Sequence, residues 1–90
     1  MLEQTVTLVN PLGLHARAAA KLVRCAGQFQ SRIILHNAMA NSTANARSIL
    51  SLLALAASVG IKLDLQIEGP DEEKAAEAVE DLFAAGFGEI

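Results

Sequence analysis

The sequence predicts a two-layer α+β fold with the element order β-α-β-β-α-β-α, and two patterns carry this prediction. Residues 61–68 alternate strictly between apolar and polar side chains, which is typical of a sheet with one dry face and one wet face. Three other segments repeat apolar residues at helical spacing, so each predicts a helix with a buried stripe. Three such stripes and one dry sheet face make two layers around a single core.

Size and composition limit the possible functions. The chain of 90 residues predicts one domain that spans residues 1–90. Its formal net charge of −3 argues against a nucleic-acid binder, because such proteins neutralise phosphates with excess Lys and Arg. The one cysteine, Cys25, permits no internal disulfide and fits a reducing cytosol. Neither a signal peptide nor a run of ~18 apolar residues is evident, so we expect a cytoplasmic protein without membrane insertion.

The first strand leads directly into the first helix. Residues 2–9 mix Val, Thr and Leu in near alternation and predict a half-buried strand. Residues 10–13, Asn-Pro-Leu-Gly, end it with turn-forming residues. Residues 16–28 predict helix one, with Gly27 at its end. Its expected buried stripe consists of Ala19, Leu22, Val23 and Ala26.

Two short segments predict a hairpin in the middle of the chain. Residues 32–36 are rich in β-branched side chains and predict strand two, residues 37–41 are turn-like, and residues 42–44 predict a third strand. His36 lies in strand two without an acidic or cysteine partner near it in sequence. We therefore interpret His36 as an ordinary strand residue.

The second helix is too apolar to bury all its side chains. Residues 49–58 predict this helix, with Ser48 as its N-cap and Gly60 as its stop. The apolar residues of the segment cannot all lie on a single stripe, and full burial is hard to arrange in a domain of this size. We therefore predict an exposed apolar patch that docks partners.

The last two elements follow the same rules. Residues 61–68 predict strand four, and residues 69–73, Gly-Pro-Asp-Glu-Glu, open helix three with proline in the first turn and acids at the positive end of the dipole. Gly86 is the expected end of this helix. The predicted stripe consists of Ala75, Ala76, Val79, Leu82 and Phe83.

The residues with chemical potential lie at the start of helix one. His15 stands where the turn ends and the helical pattern begins. The first N–H groups of a helix lack intrahelical partners and the helix dipole is positive there, so the position favours an anion. Arg17 adds a planar fork of donors that matches phosphate. Together these groups indicate a phosphohistidine site, the alternative being a plain solvated helix start.

The segment 10–17, Asn-Pro-Leu-Gly-Leu-His-Ala-Arg, resembles the active-site motif of the HPr family, the histidine phosphocarriers of the bacterial phosphoenolpyruvate-dependent phosphotransferase system. The family pattern is Gly-Leu-His-Ala-Arg-Pro-Ala, and Ala18 stands where its proline is usual. The similarity extends along the whole chain. It implies the HPr fold, an open-faced β-sandwich whose four-stranded antiparallel sheet is covered on one face by three helices.

The resemblance implies a phosphoryl carrier and not an enzyme. His15 falls on the phosphorylated histidine and Arg17 on the arginine of the motif, while backbone amides of Ala16, Arg17 and Ala18 would bind the phosphoryl group. Phospho-Enzyme I would phosphorylate His15, and an EIIA-type protein would receive the group, in sugar uptake or its regulation. The resemblance implies no metal and no cofactor, and we expect a monomer.

A second motif, residues 45–50, also resembles the family. Ser48 falls on the serine that a dedicated kinase phosphorylates in many low-GC Gram-positive members, so a serine kinase or phosphorylase is a further possible partner. The docking surface for partner proteins would consist of Ala16, Ala20, Ile49, Leu50 and Leu53.

Two other interpretations stay open. Ala18 and the ending, residues 82–89, resemble the nitrogen-type paralogues of the family. The chain would then be a regulatory module of a nitrogen-type phosphorelay, recognised by partners according to phosphorylation of His15 or Ser48. An unrelated α+β binding domain is the other alternative. The acidic charge and the scarcity of aromatic side chains argue against it.

Overall fold

The computed structural model describes residues 1–89 and has the predicted order of elements. The strands are β1 (Leu2–Thr7), β2 (Arg32–Asn37), β3 (Ser42–Asn45) and β4 (Lys62–Glu68). The helices are α1 (Ala16–Ala26), α2 (Ile49–Leu53) and α3 (Glu72–Ala84), and a short 3₁₀ turn, Gly86–Gly88, follows α3.

The strands form one open sheet in the order β1-β4-β2-β3, and every pair is antiparallel. The central strand β4 places Leu65 between Gln4 of β1 and Leu35 of β2. Alternate residues of β4 are buried, as its sequence pattern predicts, and the helices cover this dry face. The predicted α+β fold, a four-stranded antiparallel sheet with three helices, is confirmed.

The prediction for helix two is wrong at its end. The helix was expected to continue to residue 58 and to stop at Gly60, yet α2 ends at Leu53 and Ala56 adopts the left-handed conformation, with φ of 57°. The change of direction has a packing reason, because it buries Leu55 completely and presents the Ala57 carbonyl to the amide of Leu14 at 3.1 Å. Tertiary contacts therefore override the helical pattern of this segment.

Other boundaries differ by one to three residues. Strand β1 ends at Thr7. Leu8 still forms two backbone hydrogen bonds with the segment before β4: its amide donates to the Ile61 carbonyl at 3.0 Å, and its carbonyl accepts from the Gly60 amide at 2.7 Å. Helix α1 ends at Ala26, and Gly27, its expected stop, is the C-cap. Pro70 lies just before α3, whose N-cap is Asp71.

The buried stripes differ slightly from the prediction. In α1, Ala18 is buried and Val23 is only partly buried, and in α3 Leu82 is partly buried. The remaining stripe residues, Ala19, Leu22, Ala26, Ala75, Ala76, Val79 and Phe83, lie in the core.

The carboxylate of Asp71 ties the start of α3 to the loop before β2. It accepts hydrogen bonds from the Ser31 amide at 2.9 Å, the Ser31 hydroxyl at 2.5 Å and the Gln30 amide at 2.9 Å. Ser31 has no exposed surface. The Ser31 hydroxyl, more than any other donor, lowers the pKa of Asp71, because these hydrogen bonds favour the ionised carboxyl.

We expect Asp71→Asn to lower the urea midpoint at about pH 7 and to have a smaller effect at about pH 3. The folded-state pKa of Asp71 lies below its unfolded value of about 3.9, so the stability it contributes is present above that value and is lost as pH falls through the folded pKa. Urea unfolding of both proteins across this range measures the difference. Asp81→Asn, at an exposed position of α3, is the control. A gap between wild type and Asp71→Asn that stays constant with pH would contradict this account.

Candidate functional site

His15 is the N-cap of α1. Its backbone is extended, with φ of −80° and ψ of −179°, and its carbonyl accepts the first helical hydrogen bond from Ala19 at 2.8 Å. The preceding amides of the helix, those of Ala16, Arg17 and Ala18, therefore lack intrahelical acceptors. The Arg17 amide donates to Nδ1 of His15 at 3.3 Å. One ring nitrogen thus faces the positive end of α1, and His15 stands at the start of this helix as its sequence position predicts.

A tight turn carries His15 to this position. The Gly13 amide donates to the Asn10 carbonyl at 3.0 Å, and Gly13 has a positive φ of 65°. Beyond it, Leu14 is buried and bonds Ala57, in the segment that follows α2. The turn is therefore held on one side by the end of β1 and on the other by the chain after α2.

The second ring nitrogen contacts a residue that the sequence analysis did not single out. Nε2 of His15 lies 2.5 Å from Oε2 of Glu89, and the other oxygen of this carboxylate accepts from the Asn10 amide at 2.9 Å. The Asn10 hydrogen bond, followed by the hydrogen bond and charge of His15 and the charge of Arg17, lowers the pKa of Glu89, against an opposing effect of burial. Asn10 is fully buried and also donates to the Gly13 carbonyl at 2.7 Å.

The guanidinium of Arg17 lies on the open side of the site. Arg17 is exposed and lines a notch of about 350 Å³ together with Lys21 and Glu89. The structure therefore leaves the Arg17 side chain free to approach a group bound at His15. This exposure agrees with a role in anion binding and not in the core.

The residues expected to dock partners lie on the surface of α1 and α2. The exposed fractions of Ile49, Leu50 and Leu53 are 40%, 77% and 41%. Ala16 is exposed and Ala20 is partly buried. The predicted exposed apolar patch on helix two is confirmed, and its docking function stays a prediction.

Ser48 is the N-cap of α2, as predicted. Its hydroxyl oxygen accepts from the Ser51 amide at 3.3 Å, and its side chain is partly exposed. The cap lies next in sequence to the exposed Ile49 and Leu50, so a charge added at Ser48 would lie beside the apolar patch.

Two other residues with reactive side chains, His36 and Cys25, lie outside the site. Nδ1 of His36 bonds the Thr43 hydroxyl at 2.9 Å on the neighbouring strand, which agrees with an ordinary strand residue. Cys25 is partly buried, and burial raises the pKa of its thiol. The first observation agrees with the role expected for His36 from the sequence, and the second describes Cys25 as a packed side chain.

Asn10 and Glu89 were missed as site residues for different reasons. Asn10 belongs to a turn-forming segment, and its amide is equally suited to a plain turn. Glu89 lies 74 positions from His15 in sequence, so no local spacing relates the two. The one signal near Glu89 is the sequence Gly-Phe-Gly before it, which predicts a sharp turn. Within residues 1–89, no helix has both the length and the apolar content that a membrane crossing requires.

The chain is similar in sequence to known proteins. The family model "PTS HPr component phosphorylation site" matches residues 2–85. The phosphocarrier protein HPr of Cupriavidus necator is 42% identical over 89 residues, covering 99% of this chain and 98% of that protein. The phosphocarrier protein NPr of Escherichia coli K12 is 39% identical over 87 residues, covering 97% and 96%.

A solved structure extends the comparison to three dimensions. The crystal structure of HPr-C-His from Thermoanaerobacter tengcongensis superimposes with a TM-score of 0.93 at 41% identity, covering 100% of this chain and 99% of that one. Fold and similarity together define the class, a phosphocarrier of the phosphotransferase system, whose members carry phosphoryl groups and are not catalysts. The chain belongs to the HPr family.

We expect Gly13→Ala to destabilise the protein by about 3 kcal/mol, because two costs add at this position. An added Cβ would lie 2.7 Å from the Ala57 carbonyl oxygen and 2.9 Å from Cα of Ser58, and φ is 65°. Gly60→Ala is the matched control, with φ of 87° but open space around the Cβ, and should cost only ~1–2 kcal/mol. Urea unfolding measures both. Equal losses would show that the turn does not pack tightly on the segment after α2.

Proposed function

We propose that this chain accepts a phosphoryl group on His15 from phospho-Enzyme I and passes it to an EIIA-type protein. The observation that carries the proposal is the placement of one imidazole nitrogen, Nδ1, at the first amides of α1. A phosphoryl group bonded there would have helix amides and the Arg17 side chain within reach. Similarity to curated phosphocarriers supports the same role.

The chemical step needs little from the protein beyond position and charge. The Nδ1 lone pair attacks phosphorus on the phosphohistidine of Enzyme I, a new P–N bond forms, and the bond to the Enzyme I nitrogen breaks with its electron pair. The amides of Ala16, Arg17 and Ala18 and the guanidinium of Arg17 stabilise the negative oxygens during transfer. No metal or cofactor is required on this chain, and the protein is a substrate of its partners, not an enzyme.

Partner proteins would dock on the surface that surrounds the imidazole. Ile49, Leu50 and Leu53 expose apolar side chains beside Ser48, and Ala16 lies next to His15. Enzyme I and the EIIA-type protein would bind this shared surface one after the other, because both must reach the same imidazole ring. A cytoplasmic location would put the chain with such partners.

A regulatory role in a nitrogen-type phosphorelay is the second candidate. Two sequence features favour it: Ala18 at the usual proline position, and the ending, residues 82–89, which resembles the nitrogen-type paralogues. The two candidates share the chemistry at His15 and differ in the acceptor. Transfer from the phosphorylated chain to a sugar-type EIIA or to its nitrogen-type counterpart separates them.

We expect His15→Ala to abolish phosphorylation by phosphoenolpyruvate and Enzyme I. His15→Asn should do the same while keeping a good N-cap, because asparagine caps helices well and lacks a nucleophilic ring. His36→Ala, which removes the other histidine, should be phosphorylated like wild type. Acid-labile, base-stable phosphate on either His15 variant would overturn the proposal.

Ser48→Asp should keep its thermal stability, because aspartate also caps helices, yet bind Enzyme I about fivefold more weakly, the equivalent of ~1 kcal/mol of repulsion. The reason is a negative charge beside the apolar patch, facing an acidic partner surface. Titration at low and high salt measures the affinity, and the loss should shrink as salt rises. A phosphoryl group placed on Ser48 by a serine kinase should weaken the binding of Enzyme I for the same reason, and its removal by a phosphorylase should restore the affinity.

Two variants serve as controls for Ser48→Asp. Gln28→Glu adds the same charge just beyond the far end of α1, and Ser48→Ala removes the hydroxyl without adding charge. Gln28→Glu should bind like wild type, and Ser48→Ala should lose ~1 kcal/mol of stability but no affinity. If Ser48→Asp matched wild type at low salt, Ser48 would be a cap alone.

A further inference from the structure

The segment after α3 folds back over His15. We call residues 86–89 the strap. Three consecutive strap residues, Gly86, Phe87 and Gly88, have positive φ values of 58°, 56° and 76°. Phe87 is 1% exposed, and its ring lies edge-on to Phe83 with centroids 4.9 Å apart. The ammonium of Lys21 also donates to the Phe87 carbonyl at 2.5 Å. The strap is therefore anchored, and it delivers Glu89 to a defined place.

The contacts of the His15 ring define where its proton lies. Nδ1 receives a hydrogen bond from the Arg17 amide, so Nδ1 carries a lone pair. Nε2 faces the Glu89 carboxylate at 2.5 Å, so Nε2 carries the hydrogen and donates it. The second carboxylate oxygen bonds Asn10, which is fully buried. Glu89 is thus held on both oxygens and can hold the ring in turn.

We propose that Glu89 is a positioning residue, which keeps a proton on Nε2 of His15 so that the phosphorylated ring stays a transferable cation. This inference rests on the proposed function. When Nδ1 takes the phosphoryl group, its lone pair becomes the P–N bond and the ring, still protonated on Nε2, gains a positive charge. The adjacent carboxylate stabilises that charge.

The same proton governs the onward transfer. As the acceptor histidine attacks phosphorus, the P–N bond breaks and its electron pair returns to Nδ1. With Nε2 protonated, the leaving group is neutral imidazole. Without this proton, the leaving group would be an imidazolate anion, which is a far poorer leaving group. Glu89 therefore acts on the departure of the phosphoryl group as well as on its arrival.

The charged groups around the pair have defined places. Arg17 and Lys21 of α1 line the same notch as Glu89. The groups that the preceding turn and the segment after α2 bring to the site, the Asn10 amide and the Ala57 carbonyl, are neutral. Glu89 is therefore the anion that faces Nε2 among these groups, and its removal leaves the notch lined by two cations and no anion.

The test compares the phosphorylated forms of wild type, Glu89→Gln and Glu89→Asp, all in a His36→Ala background so that one ring reports. Phosphoramidate phosphorylates the histidine without Enzyme I. Titration of the ³¹P signal then follows the protonation of the phosphorylated ring. We expect the midpoint to fall by about one pH unit or more in Glu89→Gln, and Glu89→Asp to recover part of the shift because it keeps the charge.

Transfer to an acceptor histidine gives a second measurement. Glu89→Gln should transfer at least about tenfold more slowly, a smaller loss than the roughly 10⁴-fold cost of removing the tautomer-fixing aspartate of a Ser-His-Asp triad. Glu77→Gln, at an exposed position of α3, is the control and should match wild type in both measurements.

The outcomes separate this inference from the proposed function. An unchanged ³¹P midpoint in Glu89→Gln would overturn the role of Glu89. Faster phosphorylation of Glu89→Gln than of wild type would also overturn it, because the carboxylate would then obstruct the ring. Failure of Enzyme I to phosphorylate wild type would overturn the proposed function alone, because the phosphoramidate titration still reports on Glu89.

Discussion

The buried side-chain amide of Asn10 holds the candidate site together. Its nitrogen donates to the Gly13 carbonyl and to the Glu89 carboxylate, so one group joins the end of β1, the turn that carries His15, and the strap. A buried amide without partners costs ~1–3 kcal/mol. The three segments therefore hold their positions together, and the imidazole gains a fixed orientation although it lies at the surface.

This arrangement suits a carrier that must be reached by more than one protein. The core lies between the dry sheet face and the helices, whereas His15, Arg17 and the apolar patch of α2 lie outside it. Substitutions at these positions can change chemistry or docking with little effect on the core. The short α2 serves the same purpose, because its early end lets Ala57 bond the turn at Leu14 while Leu50 stays in solvent.

The sequence predicted the features that depend on local patterns. The alternation of residues 61–68 indicated the strand and its buried face, and the residues around His15 indicated the helix start. The anion site at that helix start stays a prediction. The sequence failed where distant contacts decide. The helical pattern alone predicted that helix two continues to residue 58, because the hydrogen bond between the Leu14 amide and the Ala57 carbonyl has no signal in the sequence. Glu89 escaped notice for the same reason, because its place at His15 depends on how Phe87 packs in the core.

The central claim is that Nδ1 of His15 receives the phosphoryl group while Glu89 occupies Nε2. Labelling the histidine ring with ¹⁵N and phosphorylating the protein with Enzyme I tests it most directly, because the coupling between ³¹P and ¹⁵N identifies the bonded nitrogen. The account predicts coupling to Nδ1, with Nε2 still bearing hydrogen. Coupling to Nε2 would contradict it, since the phosphoryl group would then take the place of Glu89 and lie away from the helix amides.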